Sequence, residues 1–134
     1  MRLARIFALI AAFCISASLA SANGNSLSGK YERVVNGKPD TNSATITLEE
    51  KSGGKVHVSG DAVWVGNAAT GNVNTGEIAG DFSVVNNQIL YRDTSTGCRM
   101  TIAIVKDGLK VSKTTAACGG LNVTFDGTYR KAAQ

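Results

Sequence analysis

The chain reads as an all-β protein: a small antiparallel up-and-down β-barrel of about eight strands with one disulfide. Three observations predict this. Short runs of Val, Ile, Thr and aromatic residues alternate with polar ones, and turn residues recur roughly every 8–12 positions. In addition, one Gly-x-Tyr-x-basic signature stands at both ends of the folded part, as SGKYER at 28–33 and DGTYRK at 126–131.

The first element reads as a segment cleaved from the mature protein. MRLAR is a short basic stretch, IFALIAAFCISASLA is apolar, and Ala20-Ser21-Ala22 follows. This is the layout of a secretory signal peptide, with cleavage expected after Ala22 and Ala20 as second choice. A membrane anchor wants about 20 consecutive apolar residues, more than this run supplies with Ser16 and Ser18 inside it. Acylation of Cys14 would require processing next to Phe13, which is a poor cut position. The expected division is thus a cleaved signal at 1–22 and a single barrel domain at 23–134, periplasmic or secreted, meeting a membrane only through the signal.

Losing the signal changes the charge. Arg2 and Arg5 go, so 12 of the 14 basic residues remain against 10 acidic ones and the net charge falls from +4 to +2. No basic run is left for a phosphate backbone to follow, so nucleic acid is not an expected partner.

The strands are expected near 29–35, 43–50, 55–65, 76–86, 88–93, 98–106, 109–114 and 121–131. Between them lie NGKPDTN, KSGG, NAATGNVNTG, NN, TSTG, DG and AACGG, which carry residues that accept positive φ or close small turns. Within each run one parity is apolar. Ile46 and Leu48 oppose Thr45, Thr47 and Glu49; Val56 and Val58 oppose Lys55 and His57. Ile78, Phe82 and Val84 oppose Glu77, Asp81 and Ser83. Cys98, Met100, Ile102 and Ile104 oppose Arg99 and Thr101; Leu121, Val123, Phe125 and Tyr129 oppose Asn122, Thr124, Asp126 and Arg130. One dry face per strand means one sheet around one core. Arg33 breaks the pattern by sharing a face with Tyr31 and Val35, which a rim position or a bulge would explain.

An even-stranded meander places its first and last strands antiparallel. Closing the sheet makes them neighbours and removes both exposed edges. Gly29 and Gly127 would let the closing backbones approach, and Tyr31 and Tyr129 would point inward and plug one end.

Cys98 and Cys118 remain after the signal is lost, an even count suited to a disulfide in an exported domain. A turn at Asp107-Gly108 would set position 98 opposite 117, one residue from Cys118. Closing a loop of this length is expected to stabilise the domain by about 3 kcal/mol.

No catalytic site is legible, and no cofactor or metal is expected. His57 is the single histidine and shares parity with Asp61, yet no nucleophile context accompanies it. Glu49 and Glu50 are adjacent, so on a strand they point to opposite faces and cannot converge as an acid–base pair. No phosphate-cradling or metal-spaced set occurs. The expectation is a non-enzymatic protein that acts by binding.

The segment 66–76 is the candidate binding loop, long for a hairpin connection and rich in Gly and Asn. Asn67, Thr70, Asn72, Asn74 and Thr75 are its candidate contact residues; a solvated loop without a role is the competing reading. Trp64, just before it, is expected in the core. Asn122-Val123-Thr124 matches a glycosylation acceptor, which matters only in a eukaryotic secretory pathway.

Gly29-x-Tyr31 opening the first strand, with Arg130 in the last, resembles the lipocalin or calycin pattern. There a Gly-x-Trp opens strand one and a late Arg packs over the ring; here Tyr stands in place of Trp, and no T-D-Y-type second motif is visible. The layout over 28–131 also resembles small periplasmic barrels of Gram-negative bacteria such as the MliC/PliC-type lysozyme inhibitors, although their S-G-x-x-Y-type loop motif is not found and no inhibitory residue carries over. The first resemblance implies a carrier of a small apolar ligand. The second implies a monomer that binds or inhibits another protein such as a lysozyme.

Overall fold

The computed structural model describes residues 25–133. The expected signal at 1–22, its expected cleavage point after Ala22, and Cys14 lie outside the described residues. The protein is an all-β, antiparallel, up-and-down, nearly closed barrel of eight strands. Its elements are β1 (Gly29–Val35), the two-residue β2 (Lys38–Pro39), β3 (Ala44–Glu50), β4 (Lys55–Asn67), β5 (Asn72–Ser83), β6 (Gln88–Arg92), β7 (Arg99–Val105), β8 (Gly108–Ser112) and β9 (Gly127–Lys131). The eight barrel strands run β5-β4-β3-β1-β9-β8-β7-β6, and β2 pairs only with β1.

The two Gly-x-Tyr strands are neighbours. β1 and β9 pair antiparallel with Tyr31 opposite Lys131 and Arg33 opposite Tyr129. That register has a local two-fold relation that carries each residue of β1 onto the residue 98 positions later, and the contacts repeat with it. Tyr31 Oη donates to Leu27 O at 2.8 Å and Tyr129 Oη to Phe125 O at 2.7 Å. Lys131 Nζ donates to Ser26 O at 2.7 Å and Arg33 Nη1 to Thr124 O at 2.6 Å. Ser28 N–H donates to Ser26 Oγ and Asp126 N–H to Thr124 Oγ1. Ser28 Oγ accepts from Glu50 N, and Asp126 Oδ1 from Thr114 N. Gly29 and Gly127 have φ of +151° and +146°, and a Cβ at either would press on the basic side chain of the other strand, Lys131 Cε at 2.5 Å or Arg33 Cδ at 2.6 Å. One octapeptide pattern, small hydroxyl–apolar–polar–Gly–x–Tyr–x–basic, thus builds the same lock twice. Because the strands are antiparallel, the two tyrosines face opposite ends of the barrel instead of plugging one.

The copies differ in burial. Arg33 keeps its inward parity without a bulge and is only 6% exposed. Its Nε donates to Asp40 Oδ2 at 3.0 Å, Nη1 also reaches Asp126 O at 3.2 Å, and Nη2 donates to Asn42 O. Lys131 is exposed and lies 5.8 Å from the centre of the Tyr31 ring. It is therefore Lys131, and not Arg130, that covers this ring; Arg130 points to solvent.

The alternation holds for the core: Ile46, Leu48, Val56, Val58, Ile89, Tyr91, Ile102, Leu109, Val111, Phe125 and Tyr129 are buried in a single cluster. Three local readings are corrected. The eighth strand is confined to Gly127–Lys131, and Leu121 is 78% exposed, because 119–126 is an irregular loop that dips only Val123 and Phe125 into the core. The β7–β8 turn is centred on Lys106-Asp107, with Val105 paired to Gly108 and Asp107 at φ +64°, so Cys98 lies opposite Thr115 in register. A 3-10 turn at Ala116–Cys118 then doubles back to make the Cys98–Cys118 disulfide, with a Cα separation of 4.5 Å. Finally, the sheet does not pair all the way round. β5 and β6 meet at a two-residue Asn86-Asn87 turn, both with positive φ, and share one bridge, Val85 to Gln88. Beyond it the ladder stops.

Candidate binding surface

The segment predicted as a long loop is mostly strand. β4 runs to Asn67 and β5 starts at Asn72, with Val65 opposite Val73 and a bulge before Asn67–Asn72. A 3-10 turn at Ala68–Thr70 joins them; Asn67 caps it by accepting from Ala69 N and Thr70 N at 3.0 and 3.3 Å. Asn67, Thr70, Asn72 and Thr75 are exposed on this hairpin tip. Asn74 is turned to the side, where its Nδ2 donates to Leu121 O at 2.8 Å. Trp64 is half-buried, packed against the core, and its ring lies over Gly66, where a Cβ would collide with it.

His57 does not meet Asp61. Residues 57 and 81 face each other across β4–β5, and His57 Nδ1 lies 2.7 Å from Asp81 Oδ1 on the outer face. Asp61 instead accepts from Thr45 Oγ1 at 2.7 Å. Glu49 pairs with Lys51 at 2.9 Å, while Glu50 accepts from Ser26 Oγ at 2.5 Å. Hydrogen bonds from those neighbours hold both carboxylates below the usual range. Among the described residues no three His, Cys, Asp or Glu side chains gather as a metal would require.

The feature that sequence reasoning missed is the seam between β5 and β6. Backbone hydrogen bonds at Thr75, Ala79 and Val85 show that odd residues of β5 aim their backbone groups at the seam. Gln88 does the same on β6, so Leu90 and Arg92 follow by alternation. Side chains and a loop replace the missing ladder. At one end Gly120 N–H donates to Thr75 O at 3.3 Å. In the middle the Tyr91 hydroxyl accepts from Ala79 N–H at 3.1 Å and donates to Ala79 O at 3.2 Å. The Tyr91 and Phe82 rings lie 4.8 Å apart, tilted by 44°, on the core side of the seam. Burial of Tyr91 raises the pKa of its phenol, which stays protonated and able to bridge.

Among the described residues, the backbone groups of Glu77, Asp81 and Ser83 on β5, and of Leu90 and Arg92 on β6, have no partner across the seam. Two recesses flank them. One, of about 400 Å³, is walled by Phe82, Val85 and Leu90 near the Asn86-Asn87 turn; Val85 and Leu90 are 62% and 54% exposed. The other, of about 490 Å³, is bordered by Asp61, Glu77 and Asp93 with Thr45, Thr47 and Ser59, and among the described residues no basic side chain lines it. Hydrogen bonds from Ser95 and Thr96 hold the Asp93 carboxyl below its ordinary range, so it is charged at neutral pH.

Compared with known proteins, the chain matches no family model, no curated protein and no solved structure.

Proposed function

We propose that the protein is an exported, monomeric, non-enzymatic binding or inhibitor module that acts on another protein through its outer surface. The observation that carries this reading is the filled interior. Tyr31, Tyr91, Phe125 and Tyr129 are each at most 4% exposed, and together with the aliphatic core they occupy the space in which a hollow barrel would hold cargo. The disulfide fits an oxidising compartment, periplasmic or secreted. A small domain of net charge +2 that invests in a cross-linked scaffold and exposed strand edges is suited to recognition. In its sharpest form, which rests on the resemblance to MliC/PliC-type barrels, the partner is a lysozyme. Inhibition assays against a panel of lysozymes test that form, and no effect at micromolar concentration removes it. Affinity capture from the protein's own periplasm or medium, with cross-linking, tests the wider reading.

The second reading is a calycin-like carrier of a small apolar ligand. In its favour is a recess of about 570 Å³ at the Tyr31 end, bordered by Leu27, Ile104 and Val105 along with Lys106 and Lys131. Native mass spectrometry of gently purified protein decides it; an adduct that disappears on denaturation supports the carrier.

A further inference from the structure

We infer that the β5–β6 seam is a docking site for an extended, basic segment of another polypeptide, which adds to the sheet as a strand. The inference rests on the reading of the protein as a binding module and names the surface and the chemistry of its partner. Unpaired strand edges recruit extended chains because each main-chain group gains a partner. Here the edges are unpaired at Glu77, Asp81 and Ser83 and at Leu90 and Arg92. What narrows the occupant is the chemistry along the edge. At the turn end, Phe82, Val85 and Leu90 offer an apolar recess. At the other end Asp61, Glu77 and Asp93 border a recess without a basic residue. Six steps of β5 separate Ser83 from Glu77, or about 20 Å at the strand rise. A strand of that length therefore places an apolar side chain in one recess and a Lys or Arg of the same parity in the other.

Charge also disfavours a second copy as occupant. Two β5 edges paired antiparallel about their own two-fold would bring Glu77 and Asp81 of one chain against those of the other, and like charges directly opposed across strands are destabilising. Asp81 keeps its partner His57 on the far side from the seam. Glu77 has no ion-pair partner among the described residues.

The probe is a capped synthetic peptide of about seven residues, Leu-Thr-Val-Thr-Val-Thr-Lys, matched to the length of the edge. Amide hydrogen exchange and NMR shifts of the whole exported domain are read with and without it. Expected are fast exchange at Glu77, Asp81 and Ser83 in the free protein and protection of these amides on binding. Affinity is expected to fall about tenfold or more when Glu is put for Lys in the peptide, or in the Glu77→Lys variant. Glu77 is exposed and outside the core, so this variant folds; Leu90→Thr is a second one that removes the apolar contact alone. Binding that leaves the seam amides unprotected, no binding at millimolar peptide, or equal affinity for both peptides overturns the inference. So does protection that rises with protein concentration without peptide, which would assign the edge to a second copy. A natural partner that is captured yet leaves these amides exchanging overturns the seam assignment alone, and the wider reading stands.

Discussion

The barrel has two places where its sheet could come apart, and they are built on opposite principles. At β1–β9 a backbone ladder is reinforced by two copies of one octapeptide lock, each tying a tyrosine hydroxyl and a basic side chain to carbonyls just upstream of its own or the facing strand. At β5–β6 the ladder has a single bridge, and a tyrosine hydroxyl, two tilted rings and a disulfide-held loop stand in for it. The first and last strands, usually among the first parts of a domain to fray, are here locked together, and a mid-chain hairpin carries the weak point. A barrel can thus leave two neighbouring strands largely unzipped if its first and last strands are locked together.

The largest way to break that comparison is at the lock. Arg33 is buried with Asp40 and the carbonyls of Asn42, Thr124 and Asp126 arranged around it. Arg33→Ala leaves a half-buried carboxylate and several carbonyls without their donor, and is expected to cost about 3–5 kcal/mol. The corresponding Lys131→Ala removes an exposed amine from a ring face and one carbonyl, and should stay within about 1 kcal/mol. Denaturant midpoints of the two variants measure this. Equal losses would mean that the two copies carry equal weight despite their different burial.

Next comes the disulfide, which sharpens the comparison at the seam. Replacing both cysteines with Ser is expected to cost about 3 kcal/mol. The loss should be local in one respect. The loop at 116–121 supplies Gly120 N–H to Thr75 and Leu121 O to Asn74, so exchange should quicken at Asn74 and Thr75 before it quickens in β1 or β9. Uniform acceleration would show that the bridge acts only on the unfolded chain.

The lock glycines give a smaller and subtler contrast. Both hold φ values that an L residue resists, so Gly29→Ala and Gly127→Ala each cost about 1–3 kcal/mol from backbone strain. The new methyl at 127 meets the stem of a buried arginine held at four acceptors, whereas at 29 it meets the mobile end of an exposed lysine. Gly127→Ala should therefore be the worse of the two by thermal melting, and the reverse order would deny that the Arg33 copy is the rigid one.

How far all this could be read in advance follows from what each feature depends on. Period-two alternation is local, so strand number, inward parity and the pairing of the Gly-x-Tyr ends were legible from residues such as Ile46, Leu48, Tyr31 and Tyr129. The disulfide was legible from cysteine count, although its geometry differs because the turn sits one residue earlier than Asp107-Gly108. Residues 66–76 read as loop because Asn, Thr and Gly carry no alternating apolar signal; the strand ends there are held by the β4–β5 ladder and by hydrogen bonds between Asn74 and Leu121 and between Thr75 and Gly120, which come from a loop distant in sequence. The seam was not legible at all. Whether two consecutive strands pair beyond their turn depends on how the whole sheet curls, and Tyr91, flanked by Leu90 and Arg92, has the signature of any inward strand residue. Arg33 was visible as an exception, but its acceptors come from residues as distant in sequence as Thr124 and Asp126.

The smallest expected effect isolates the seam itself. Tyr91→Phe keeps the ring against Phe82 and removes only the oxygen that satisfies both backbone groups of Ala79. Leaving that donor and acceptor to whatever water reaches the opened seam should cost about 1–2 kcal/mol, and the Ala79 amide should lose its protection selectively. Alkaline titration probes the same bond. All three tyrosines have raised phenol pKa values through burial, Tyr129 the most, with nearby Arg33 only partly offsetting it. A phenol whose pKa is higher folded than unfolded binds its proton more tightly in the native state. Its contribution is complete below the unfolded value of about 10 and is lost as pH climbs through the folded one. Phenolate absorbance should therefore lag behind that of a free tyrosine, and Tyr91→Phe should delete one of the earlier steps and leave the last, from Tyr129, in place. If the variant instead removed the last step, the Tyr91 hydroxyl, and not that of Tyr129, would be the one most shielded from water.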